Sequence, residues 1–121
     1  MLSKKMQDAI NEQIKNELYS AYLYLAMSAY FESQNLRGFA TWLRVQFQEE
    51  QGHALKFLDH VFERGGTVNL KAIDQPPAKW ESSLAAFKEV LAHEQKVTGL
   101  IHGLYKLALD ESDYEIGRAH V

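Results

Sequence analysis

The chain has 121 residues and is 46% hydrophobic, enough for the core of one domain and little more. Sixteen acidic residues against thirteen basic ones leave a formal net charge of -3, and no basic run is longer than Lys4-Lys5, which argues against nucleic acid as a partner. Cysteine is absent, which excludes disulfides, thiol catalysis and thiolate metal centres, so any metal must sit on oxygen and nitrogen. No apolar run approaches membrane-spanning length, so the chain is expected to be soluble and cytoplasmic with no membrane partner.

From about Lys5 to Ser33, residues including Met6, Ile10, Ile14, Leu18, Ala21, Leu25 and Phe31 recur at three- and four-residue spacing with no proline or glycine between them. This predicts a long amphipathic helix. The short stretch Ser33 to Leu36 reverses direction, with Asn35 the candidate cap of a second, antiparallel helix. That helix is expected from about Leu36 to Arg64, with a stripe through Phe39, Trp42, Leu43, Phe47, Ala54, Phe57, Leu58 and Val61, and with Gly65-Gly66 as a left-handed end. Gly66 to Glu81 is long for a bundle connection, and Pro76-Pro77 forbids helix in its second half. A helix of roughly 28 residues spans about 42 Å, and about 16 extended residues reach roughly 50 Å. The connection can therefore run the length of the bundle and set a third helix parallel to the second. That helix starts at Ser82 or Ser83 and runs to about Asp110 through Leu84, Phe87, Leu91, Val97, Ile101, Leu104 and Ala108.

Each helix carries an ionisable group in or beside its apolar stripe near mid-length. Glu17 lies between Ile14 and Ala21, with Tyr24 one heptad further on. Glu50 and His53, three apart, leave the same face of the second helix, and Glu94 lies between Leu91 and Val97. Three buried anions would cost several kcal/mol each or be forced to take up protons, and one or two divalent cations would resolve this. Glu on one helix, Glu-x-x-His on the next and Glu on a third is the pattern of carboxylate-bridged two-metal sites in helix bundles. Glu17 and His53 would complete one metal, Glu94 would hold the second, and Glu50 would bridge them. Oxygen and imidazole ligands suit iron or manganese; zinc also fits but does no redox chemistry. Glu49, about a quarter turn from Glu50, is either a ligand for a third ion or an ordinary solvated glutamate. Tyr24 would hydrogen-bond a ligand, donate an electron, or simply pack. His60, His93 and His102 have no comparable acidic setting and are read as surface or packing residues.

Glu17 with Tyr24, the run Glu49-Glu50-Gln51-Gly52-His53-Ala54, Gly65-Gly66, Trp80 and His93-Glu94 together resemble the prokaryotic non-haem ferritins over about Met1 to Tyr114. The resemblance implies an all-α four-helix bundle with a long crossover and a short fifth helix, and a hollow shell of twenty-four subunits. It implies ferroxidase chemistry: iron(II) oxidised by oxygen or peroxide at a dinuclear centre and stored as a ferric oxyhydroxide mineral. Bacterioferritins place a haem-ligating methionine where this chain has Gln51, so no haem is expected. Rubrerythrins commonly carry a cysteine-bound iron domain.

The departure is at the carboxyl end, where the family's fourth helix would supply further ligands. Here residues 1–115 read as a partial ferritin-like domain with only the first three helices. Ile116 to Val121 read as a non-native tail that matches the translation of a sequencing adapter, and His120 is not counted as a ligand. Three helices would leave an apolar trough and weak or absent shell assembly. The competing expectation is a non-enzymatic helical interaction module without a competent metal site.

Overall fold

In the computed structural model, which describes residues 1–118, three long helices follow one another: α1 (Lys4–Ser33), α2 (Arg37–Glu63) and α3 (Ser83–Asp110). A 3-10 turn, Tyr114–Arg118, comes after them. The fold is all-helical, as the periodicity predicts. Part of the expected non-native tail, residues 119–121 with His120, lies outside the described residues. Of the remainder, Ile116 is buried beside Met6, Phe57 and Ile101.

The helix ends follow local chemistry. Ser3 caps α1 by accepting the Met6 amide at 3.1 Å, and Ser82 caps α3 by accepting the Ala85 amide at 3.0 Å. Asn35 does not cap α2, contrary to expectation. It adopts φ 60°, the left-handed conformation that asparagine tolerates, and the Leu36 amide closes the end of α1 on the Phe31 carbonyl at 2.9 Å. Leu36 then starts α2 with no side-chain cap. Gly65 stops α2 at φ 73°, and at Gly66 an added Cβ would come within 2.8 Å of Gln7 Oε1 and crowd Val61.

α1 is the central element, packed extensively on α2 and more sparsely on α3. The connection after α2 is tied along α1. The Thr67 amide donates to Gln7 Oε1 at 3.0 Å. Asn11 donates to the Thr67 carbonyl at 3.0 Å and accepts the Asn69 amide at 2.8 Å. Trp80 reaches the far end of α1, edge-on to Tyr30 with ring centroids 5.4 Å apart. α3 therefore runs antiparallel to α1 and parallel to α2.

Two apolar clusters fill the interior. One contains Met6, Ile10, Ile14, Phe57 and Val61 with the end of α3, and the other contains Leu23, Met27, Phe31 and Leu43 with the start of α3. Between α2 and α3 the described residues leave an open cleft. Several residues expected in the core stripes lie exposed: Phe39 at 45%, Trp42 at 43%, Leu84 at 64% and Leu91 at 56%. The cause is one-sided packing, since α2 and α3 each bury the face turned to α1 but have little contact with one another. At its apolar end the cleft opens into a cavity of about 590 Å³ lined by Leu36, Phe39, Trp42 and Phe87. No helix among the described residues is long and apolar enough to cross a membrane.

Candidate metal centre

The polar side chains occupy the layer between the two apolar clusters. α1 brings in Glu17 and α2 brings in Glu50 and His53, one turn apart. One ligand atom from each of the three lies within 4.8 Å of the others. His53 Nδ1 is 3.7 Å from Glu17 Oε2 and 3.5 Å from Glu50 Oε2. Both carboxylates are buried, with side chains 0% and 8% exposed, while the imidazole, at 31%, reaches the cleft. Gln13, one turn before Glu17, donates to Glu17 Oε1 at 3.1 Å. Among the described residues, Glu17 Oε2 and Glu50 Oε2 have no hydrogen-bond donor. Buried carboxylate oxygens without donors are rare in folded proteins, and these two share a space with an imidazole nitrogen. The donor set is oxygen and nitrogen only, which suits iron or manganese.

Without a cation, protons hold the charge balance. Burial raises the Glu50 carboxyl to about 7, and the neighbouring Glu17 adds to the shift while His53 opposes it. Glu17 and Glu50 together raise His53 to about 10. Burial also pushes Glu17 up, but His53, Glu50 and Gln13 outweigh it and hold Glu17 below its ordinary value. The metal-free centre is therefore an ionised Glu17 beside a protonated His53, with Glu50 near its midpoint at neutral pH.

Glu94 is half-buried on α3, outside the group of three. It lines with Glu50 and His53 a cavity of about 450 Å³ in the cleft. Its Oε1 accepts the Tyr24 hydroxyl at 2.7 Å, and burial together with Glu94 raises Tyr24 well above the ordinary phenol range. Glu49 is exposed and stands apart from the cluster. His93 is half-buried against Tyr24 and bonded to Ser20, and burial lowers it. His60 is buried in a packing position with Nε2 unbonded, and His102 is exposed. Gln13, Ser20 and His93 are polar partners that sequence reasoning did not assign. For Gln13 and Ser20 a signal existed: each lies four residues before Glu17 or Tyr24 on the same helix face.

Three long helices that bring carboxylates and a histidine together at mid-length fit a ferritin-like domain, and the Ferritin family of such domains matches residues 7–117. The chain belongs to that family. It is 44% identical over 113 residues to a bacterial non-heme ferritin of Bacteroides fragilis, covering 93% of this chain and 71% of that protein. It is 37% identical over 114 residues to one from Staphylococcus haemolyticus, covering 94% and 69%. Among solved structures it superposes on an open-pore ferritin from the hyperthermophilic archaeon Archaeoglobus fulgidus with a TM-score of 0.94. The identity there is 50%, covering 98% of this chain and 74% of that one.

Proposed function

We propose that the protein is an iron-storage ferroxidase that takes iron(II) as substrate at a dinuclear centre, oxidises it with dioxygen or peroxide, and delivers the ferric product for mineral storage in a cytoplasmic, twenty-four-subunit shell. The observation that carries this reading is the pair of buried, donor-less carboxylate oxygens facing His53. Glu17 and His53 would hold one iron, Glu50 would bridge, and Glu94 would hold the second. Each ferrous ion supplies one electron to the oxidant. Glu17 enters already ionised, and Glu50 and His53 release protons as the metal replaces them. Tyr24 keeps one Glu94 oxygen occupied and leaves the other to bind.

A second reading rests on the open cleft with Phe39, Trp42, Leu84 and Leu91 exposed: an apolar patch of that kind marks a partner-binding module with no metal chemistry. Aerobic addition of Fe(II), followed by absorbance of the ferric product, separates the two. The ferroxidase oxidises iron faster than buffer alone, and Glu50→Ala or His53→Ala removes the excess. Equal rates with and without a version that carries the family's fourth helix would end the ferroxidase reading.

A further inference from the structure

Two hydrogen bonds lie side by side between α1 and α3 next to the centre. Ser20 and Tyr24 are one turn apart on α1, and His93 and Glu94 are consecutive on α3. The Tyr24 hydroxyl donates to Glu94 Oε1 at 2.7 Å, and Ser20 Oγ is 2.8 Å from His93 Nε2. The direction of the second bond follows from counting protons. Ser20 has a single hydroxyl hydrogen, and it is committed to the Asn16 carbonyl oxygen at 2.9 Å. With that hydrogen on Asn16, the contact with His93 runs from Nε2–H to Oγ, and the imidazole is anchored to the α1 backbone through the serine. Ser20 is 1% exposed, so water does not compete for this bond.

The anchored ring contacts two tyrosines of α1. Tyr24 meets it edge-on, with centroids 5.6 Å apart and planes at 89°, and Tyr19 packs on it at 6.1 Å and 63°. The aromatic ring of Tyr24 is thus braced by a group that is itself pinned. Glu94 has three rotatable bonds and opens onto the cleft, so its carboxylate direction depends on the phenol that holds it.

We propose that His93 is a positioning residue of the centre: fixed by Ser20, it braces Tyr24 so that the phenol hydroxyl orients Glu94. The brace stands on geometry alone; its effect on metal binding rests on Glu94 being a ligand, as read above. His93 touches no substrate and acts through Tyr24.

Two measurements on the full chain decide it. The first is metal-free: ultraviolet resonance Raman of tyrosine, each spectrum taken against its Tyr24→Phe counterpart, so that Tyr24 alone is seen. The donor signature of a phenol bonded to a carboxylate is expected in the parent and in His93→Gln, whose side-chain amide can still donate to Ser20. It is expected to be lost in His93→Phe and Ser20→Ala, with helix content checked by circular dichroism. An unchanged Tyr24 signature in a folded His93→Phe overturns the proposal. The second is Co(II) titration followed by visible absorption. His93→Phe and Tyr24→Phe should each weaken binding about tenfold, as loss of a ligand-orienting partner does, and the double variant should be no weaker than either alone. Additive losses overturn the claim that His93 acts through Tyr24. Undiminished Co(II) affinity in Glu94→Ala would refute Glu94 as a ligand while the metal-free spectra still decide the brace.

Discussion

The number of protons that a metal ion displaces from the centre should fall as pH rises from 6 to 8. Two ligand groups carry protons that they must give up: His53, raised to about 10, and Glu50, raised to about 7. At pH 7 essentially every His53 and half of the Glu50 carboxyls are protonated, so an ion binding both releases about 1.5 protons. The same arithmetic gives about 1.9 at pH 6 and about 1.1 at pH 8. A histidine and a glutamate with ordinary values would release only about 0.2 at pH 7. Zn(II) is the suitable probe because it undergoes no redox reaction. Calorimetric titration in buffers of different ionisation enthalpy counts the protons directly, and the slope of log affinity against pH gives the same number independently. A release below about half a proton at pH 7 that falls to nearly none at pH 8, as ordinary values give, would show that the carboxylates and His53 are not coupled as described.

The same two groups set the stability of the metal-free chain. His53, raised in the folded state, contributes stability that is full below its ordinary 6.5 and is lost as pH rises through about 10. Glu50, also raised, makes the fold more stable as pH falls through about 7 towards its ordinary 4.5. Glu17, shifted the opposite way, matters only at more acidic pH. The urea midpoint should therefore be higher at pH 6 than at pH 9. At pH 8 Glu50→Gln should raise the midpoint of the metal-free chain while weakening Zn(II) binding, because it removes a buried charge along with a ligand. Phe57, 0% exposed, should lose about 3–5 kcal/mol on change to alanine. Phe62→Ala, about two and a half turns beyond His53 and 59% exposed, should stay within about 0.5 kcal/mol in the same urea assay.

The three helices and the direction of the connection were legible because the signals were long or arithmetical. Uninterrupted periodicity marked the helices, and the reach of an extended chain against helix length set α3 parallel to α2. Glu17, Glu50 and His53 were legible because charge interrupts an apolar stripe at mid-length on two neighbouring helices. Asn35 was misread because one chemistry serves two roles: a short amide side chain can cap the next helix or accept the left-handed turn that ends the last one. The exposure of Trp42, Leu84 and Leu91 agrees with the apolar trough expected of three helices, but which residues line it could not be read from periodicity, since a stripe shows which face is apolar and not what covers it. The bonds of Glu94 to Tyr24 and of His93 to Ser20 depend on how α1 and α3 are rotated about their axes, which spacing along a single helix does not determine.

The path of the connection also orders the assembly of the site in time. α1 and α2 are joined by a tight turn and pack extensively, so they can form as a local hairpin, whereas α3 must wait for a long loop to close and gains a thinner interface when it does. The hairpin already contains Glu17, Glu50 and His53, and Glu94 joins only on docking of α3. In hydrogen exchange, α3 should then open as a separate unit before the hairpin does. A cation held by the hairpin would remain bound through such openings, while the half of the centre that depends on Glu94 comes and goes with the third helix.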